Sequence, residues 1–265
     1  MRAPLLVATD VDGTLLNPVD RVSARTKAVV GRLAAAGVGF VLVTGRPPRW
    51  IPPVVAQVGV AGIAVCANGA VIYDAAEDRI VSARTLSAAT LADLAAAVTD
   101  ALPEAGIAVE RVGLSGEEFM AEPHYRHAWA GSDHTLLPRA GLIDMPAVKM
   151  LVRDPALTSD AIVAALAPVV GSTADLTFSH PGGLVEISAP GVTKASGLAE
   201  VAEAAGVSAA DVVAFGDMPN DLTMLAWAGH GVAMGNAHPA LRAVADEVTA
   251  SNADDGLALV LERWF

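Results

Sequence analysis

Three continuous apolar runs, PLLVATDV (4–11), VGFVLVTG (38–45) and AGIAVCANGA (61–70), are separated by stretches of helical spacing. A strand buried on both faces is apolar throughout rather than alternating, and such strands interleaved with helices specify a parallel sheet covered on both sides. Between the first two runs, SARTKAVVGRLAAAG (23–37) carries a Ser23 cap, apolar residues at helical intervals and a Gly37 stop. A short helix follows the prolines of PPRWIPPVVAQVG (47–59). The same rhythm returns near the end, with a helix at 193–206, a strand at 211–217, a helix at 219–229, a strand at 230–236 and a closing helix at 254–265.

The middle reads differently. A helix at 87–106 is followed by the short strands IAVERVG and EEFMAE, and a helix at 154–171 by TADLTFS and GLVEISA. This weak helix–strand–strand repeat predicts a small α+β domain at 84–189, inserted into a discontinuous α/β core formed by 1–83 and 190–265. Segment 122–146, with Pro123, Pro138 and Pro146, has no clear period.

Composition narrows the function classes. With 53% hydrophobic residues but only 4% aromatic, the 265-residue chain must build an aliphatic core. A net charge of −12 argues against a nucleic-acid or anionic-membrane surface, though a pocket can still be locally basic. One cysteine, Cys66, in an apolar run reads as a buried thiol and excludes an intrachain disulfide. No apolar stretch reaches the roughly 18 residues a spanning helix needs, and Asp10 arrives too early for a signal peptide. These features predict a cytoplasmic protein without membrane or nucleic-acid partners, as a monomer or homodimer.

Ligand sites in open parallel sheets lie beyond the carboxyl ends of the strands. The first run ends in Asp10-Val11-Asp12-Gly13-Thr14, the second in Thr44-Gly45-Arg46, the third in Asn68-Gly69, and the returning strand in Gly216-Asp217-Met218-Pro219-Asn220-Asp221. Lys194 opens the helix before that returning strand. Every polar cluster falls on one sheet edge. In extended chain Asp10 and Asp12 share a face, and two like charges about 4 Å apart repel by roughly 4 kcal/mol at an effective dielectric near 20. A bound cation or a retained proton relieves that repulsion. Asp10, Asp12 and Asp217 supply the hard oxygens that Mg²⁺ prefers, while Thr14, Thr44 and Lys194 are donors suited to phosphoryl oxygens. One aspartate can attack phosphorus, and a second can move protons.

DVDGT, the strand-end Thr44, Lys194 and GDMPND together resemble the four motifs of the haloacid dehalogenase superfamily of phosphatases. VLVTGR, CANGA, EISAPGVTK and GDMPND are similar to its Cof-type branch. That resemblance implies a Rossmann-like core with an inserted α+β cap, and a Mg²⁺-dependent phosphomonoester hydrolase acting through an aspartyl-phosphate. Asp10 would be nucleophile and metal ligand; Asp12 would be general acid/base, its backbone carbonyl on the metal. Asp217 would complete the protein ligands. Thr44 and Lys194 would hold the phosphoryl group, Asp221 would orient waters or Lys194, and Asn220 would contact phosphate or its network. Arg46, Asn68 and Gly69 would face the substrate, a small phosphorylated metabolite. A sugar phosphate is favoured, since the cap sequence offers little aromatic surface for stacking a flat ring. Phosphatases of pyridoxal phosphate or flavin mononucleotide, a phosphomutase and a non-catalytic phosphate binder are the alternatives.

The remaining candidates have simpler readings. Asn68-Gly69 is also an ordinary hairpin signal. His124, His127 and His134 lack a cysteine partner and read as surface or substrate-lining residues; Glu122, His124, Tyr125, Arg126 and His127 are specificity candidates. Met224, Leu225 and Trp227 read as core, and His180-Pro181-Gly182-Gly183 as a turn.

Overall fold

The computed structural model describes residues 2–115, 117–127 and 134–265. The chain divides into two compact units, Met1–Val81 with Thr193–Phe265, and Ser82–Val192.

The first unit begins with β1 (Leu6–Thr9), α1 (Ala24–Ala35), β2 (Gly39–Val43), α2 (Pro52–Val58), β3 (Ile63–Cys66), β4 (Val71–Asp74) and β5 (Arg79–Ala83). The second unit holds α3 (Ala88–Ala101), β6 (Gly106–Glu110), β7 (Phe119–Ala121), β8 (Thr135–Leu136), α4 (Arg139–Leu142), β9 (Lys149–Arg153), α5 (Ser159–Val170), β10 (Asp175–Thr177) and β11 (Leu184–Ser188). The chain then returns through α6 (Lys194–Ala204), β12 (Val212–Gly216), α7 (Leu222–Trp227), β13 (His230–Ala233), α8 (Pro239–Arg242), β14 (Glu247–Val248) and α9 (Gly256–Leu261).

The large sheet has the order β14-β13-β12-β1-β2-β3-β4-β5. From β14 to β3 every pairing is parallel, with β1 central between β12 and β2. All four residues of β1 are buried, which is why its sequence is apolar without alternation. Helix α1 starts where Ser23 accepts the Thr26 N–H, and it buries Thr26, Val29, Val30 and Leu33, one stripe at helical spacing. Each such aliphatic side chain contributes roughly 1.5–3 kcal/mol on burial.

Several predicted elements need correction. The strand expected at 61–70 ends at Cys66, because Ala67, Asn68 and Gly69 all have positive φ and turn the chain into a further strand, β4, antiparallel to β3. The helix expected at 219–229 opens with a 3-10 turn at Pro219–Asp221 before α7. The closing helix at 254–265 shrinks to α9, since Asp255 takes a left-handed conformation that no helix continues through.

In the second unit the sheet order is β10-β11-β9-β6-β7-β8. Strand β9, absent from the helix–strand–strand reading, lies at its centre between β11 and β6, antiparallel to both. Ile107, Val109, Met150, Val152, Val185 and Ile187 join Leu91, Leu94, Val98, Ile162 and Leu166 of α3 and α5 in one core. On the same strands, at positions of opposite parity, Lys149 Nζ donates to Glu186 Oε2 at 2.7 Å and both are buried.

Glu122, expected among specificity residues, is committed elsewhere. It is buried, accepts the Ile107 N–H and the Arg139 guanidinium, and thereby pins the segment after β7 to β6. Tyr125 packs edge-on to Phe119 at 6.1 Å, and the His127 ring stands 5.0 Å from Phe119. His134 joins the cluster at 6.3 Å from Phe119, and the Phe119 and Tyr125 rings are buried in the unit's own core. Among the described residues no helix is long and apolar enough to cross a membrane.

Candidate active site

Strand β1 stops at Thr9, and the next residues turn rather than extend. Asp10 is still extended (φ −63°, ψ 161°), but Gly13 has φ +78°, and the tight turn over Val11–Leu15 separates the two carboxylates. They do not share a face as an extended strand would require. Asp10 is 5% exposed, whereas the Asp12 side chain is 54% exposed. Each has its own cation: Lys194 Nζ donates to Asp10 Oδ1 at 2.6 Å, and Arg46 makes two bonds to Asp12.

Lys194 reaches Asp10 because α6 begins there. Thr193 caps the helix by accepting the Ser196 N–H, and the Ser196 hydroxyl in turn accepts the Thr193 N–H. The turn after β3 approaches this helix start so closely that a Cβ on Gly69 would lie 2.0 Å from Thr193 O. Only glycine, here at φ +102°, fits.

A second carboxylate meets the same ammonium: Lys194 Nζ donates to Asp221 Oδ1 at 2.6 Å, and Asp221 Oδ2 accepts the Asp217 and Met218 N–H groups at 3.0 and 3.1 Å. Asp221 is therefore saturated. Asp217, just beyond β12, accepts from the Thr14 hydroxyl on Oδ1 at 3.1 Å and from Asn236 Nδ2 on Oδ2 at 3.3 Å. Thr14 thus spends its hydrogen on a carboxylate.

Carboxylate oxygens of Asp10, Asp217 and Asp221 lie within 4.8 Å of one another, the only such metal-competent group among the described residues. Asp12 contributes no side-chain oxygen to it, and His124, His127 and His134 do not join any. Burial pushes the Asp10 carboxyl well above its ordinary range; Lys194 opposes this, while Asp221, Asp217 and Asp12 add to it. Asp217 is raised to about 7, by burial first and then by Asp221. Burial alone would lower the Lys194 ammonium, but Asp10 and Asp221 outweigh it and hold it above its usual value. Fully ionised, three carboxylates against one ammonium would leave two negative charges in a buried site, and the raised carboxyls of Asp10 and Asp217 are how the metal-free chain avoids that charge.

The neighbouring strand ends complete the arrangement. Thr44, 1% exposed, accepts the Arg46 N–H on its hydroxyl at 3.0 Å. Asn68 N–H donates to Thr44 O, and Ala67 N–H to Arg46 O, stitching the ends of β2 and β3 together. Asn220 Nδ2 donates to Asn68 Oδ1 at 3.1 Å, while Asn220 Oδ1 is buried without a hydrogen-bond partner. All the strand-end residues named from sequence therefore lie in the first unit. Asn236 was missed, although it follows β13 and the same rule of looking past each strand end points to it.

Residues 7–261 match the family described as haloacid dehalogenase-like hydrolase. The chain belongs to that family. It is 32% identical over 266 residues to an HMP-PP phosphatase of Serratia proteamaculans, covering 98% of this chain and 94% of the relative. It is 28% identical over 278 residues to the 5-amino-6-(5-phospho-D-ribitylamino)uracil phosphatase YitU of Bacillus subtilis (strain 168), covering 99% and 98%. Among solved structures, the HAD subclass IIB sugar phosphatase BT4131 superposes with a TM-score of 0.84 over 98% of both chains at 20% identity, a likeness of fold. The α/β architecture is thus the haloacid dehalogenase one, a Rossmann-like parallel-sheet core with an inserted α+β unit, and the chain is a HAD-type phosphatase, a phosphoric monoester hydrolase.

Proposed function

We propose that the chain hydrolyses the phosphate monoester of a small metabolite, a sugar phosphate, through a phospho-Asp10 intermediate with Mg²⁺ as cofactor. The observation that carries this reading is the buried Asp10 carboxylate, fixed through Oδ1 by Lys194 and crowded by Asp217 and Asp221. A nucleophile needs such fixed orientation more than it needs exposure.

The donor set fits Mg²⁺. Its oxygens are hard, its surplus once the acids are ionised is two negative charges, and the unpartnered Asn220 Oδ1 is an acceptor suited to the waters this ion retains. Asp10 and Asp217 would hold the ion with the Asp12 backbone carbonyl, the set the family resemblance implies, while Asp221 stays bound to the Lys194 ammonium and to two backbone N–H groups. Bound there, Mg²⁺ supplies positive charge against the phosphoryl oxygens.

In the first step Asp10 attacks phosphorus and the ester oxygen leaves with a proton from Asp12. In the second, Asp12 takes a proton from the water that attacks the same phosphorus, releasing phosphate and restoring Asp10. Lys194 keeps Asp10 aimed and offsets its charge. Thr44, whose oxygen already accepts from Arg46 N–H, donates its own hydrogen to a phosphoryl oxygen. Arg46, Asn68 and Gly69 face the substrate, and Asn220 supports Asn68. Asp12 exchanges Arg46 for a proton before it can act as an acid, and the incoming substrate oxygens compete for that guanidinium.

Substrate choice is assigned to the loops of the unit Ser82–Val192, the reading carried by the family resemblance. A sugar-type ester is supported by the phospho-ribityl group in the name of the B. subtilis relative. With an aryl phosphate and Mg²⁺, Asp10→Asn should lose all turnover; full activity in that variant overturns the assignment. A panel of sugar, pyridoxal and flavin phosphates, scored by released phosphate and by any isomerised product, tests the substrate class.

A further inference from the structure

The geometry points to Asn236 as a positioning residue that aims the Asp217 carboxylate and the Asp10–Thr14 turn at the metal. This inference rests on the Mg²⁺ reading above. Asn236 follows β13, and its side-chain amide spans two segments that are distant in sequence. Nδ2 donates to Gly13 O at 2.9 Å and to Asp217 Oδ2 at 3.3 Å, while Oδ1 accepts the Asn252 N–H at 3.0 Å.

The amide has only one sensible orientation. Its carbonyl end faces an N–H donor and its amino end faces two oxygens, so reversing it would set oxygen against Gly13 O and Asp217 Oδ2 and nitrogen against N–H. Asn252 supplies the other half of the brace, donating through Nδ2 to Leu16 O at 2.7 Å. The turn after β1 is thus held at Gly13 and at Leu16 by two asparagines that are themselves bonded.

The consequence lies in the orientation of Asp217. Thr14 engages Oδ1 and Asn236 engages Oδ2, one donor per oxygen. Both donors are neutral, so they fix the carboxylate plane without supplying the charge that a cation brings. Groups that orient a ligating carboxylate in this way typically change metal affinity by about 10- to 100-fold when removed. Asn236 is itself exposed, so its loss removes no core packing.

The test compares wild type with Asn236→Ala by calorimetric Mg²⁺ titration without substrate, by metal-free thermal melting, and by turnover of an aryl phosphate against Mg²⁺ concentration. Expected are a Mg²⁺ dissociation constant weakened about tenfold, an unchanged metal-free melting temperature, and kcat recovering to near wild type at saturating Mg²⁺. Unchanged Mg²⁺ affinity in a variant whose wild type binds the ion overturns the role of Asn236 alone. A fall in metal-free melting temperature, or a kcat that stays low at saturation, overturns it in favour of a structural role. If wild type itself takes up no Mg²⁺, the metal reading and this inference fall together.

Discussion

The guanidinium of Arg46 grips both oxygens of Asp12, Nε to Oδ2 at 2.8 Å and Nη2 to Oδ1 at 2.5 Å. The Arg46 side chain is 21% exposed and that of Asp12 is 54% exposed. An ion pair this open contributes only about 0–1 kcal/mol to stability, so its value lies in placing Asp12. Arg46→Ala should melt close to wild type yet lose about 10- to 100-fold in kcat/KM on a phosphomonoester, the size of a lost charged hydrogen bond. Arg46→Lys should recover little, because an ammonium cannot make the paired contact. Full activity in both variants would show that Asp12 needs no partner.

Lys194 is the opposite case. It is fully buried between Asp10 and Asp221, so removing it strands two carboxylates away from water. Breaking a buried pair from one side costs about 3–5 kcal/mol. Lys194→Met, close in length but uncharged, should lose about that much in metal-free urea denaturation. A loss below about 1 kcal/mol would mean that the two acids already hold protons in the folded chain.

Asp217 sets a pH dependence whose sign can be worked out. Its carboxyl is raised to about 7 from the ordinary 3.8, chiefly by burial, so between those values the folded chain holds a proton that the unfolded chain has released. Metal-free stability therefore falls as pH rises through that window, and stops falling above about 7. In the reading proposed above, Mg²⁺ would have to displace the same proton. The increase in melting temperature on adding saturating Mg²⁺ should accordingly be small near pH 5 and largest near pH 8, with proton release measurable by calorimetry in two buffers. A Mg²⁺ effect that is flat across this range would count against Asp217 as a ligand.

Much of this geometry was legible because position along a strand determines where its end lies. Asp10, Thr44, Asn68 and Asp217 each follow an apolar run, and a parallel sheet brings such ends to one edge. The family resemblance already set Lys194 beside Asp10 and Asp221, but that Asp12 would meet Arg46 was not legible. The separation of Asp12 from Asp10 depends on the turn at Gly13, and the pairing with Arg46 on a loop from β2. Glu122 read as a specificity candidate, but Arg139 and the Ile107 amide draw it inside. Strand β9 follows the proline-containing segment 122–146, and its five residues, KMLVR, give too little period to read. The hairpin β3–β4 was hidden for a related reason: the apolar run of β3 continues through its turn into β4.

Gly13 offers a sharp test of how closely the turn after β1 fits the rest of the site. At φ +78° a Cβ there would lie 2.2 Å from Asp217 Oδ2, on a carboxylate already held by Thr14 and Asn236. Gly13→Ala therefore meets two obstacles, the left-handed backbone and the displaced carboxylate. The backbone obstacle alone costs about 1 kcal/mol or more. Displacing Asp217 adds a specific signature, because a moved ligand weakens metal binding even where the fold survives. The variant should lose Mg²⁺-dependent stabilisation and turnover together, and to a greater extent than Asn236→Ala, in which the carboxylate loses one hydrogen bond but keeps its room. Gly13→Ala with wild-type Mg²⁺ affinity and activity would show that Asp217 can move aside without consequence, and would remove it from the metal site.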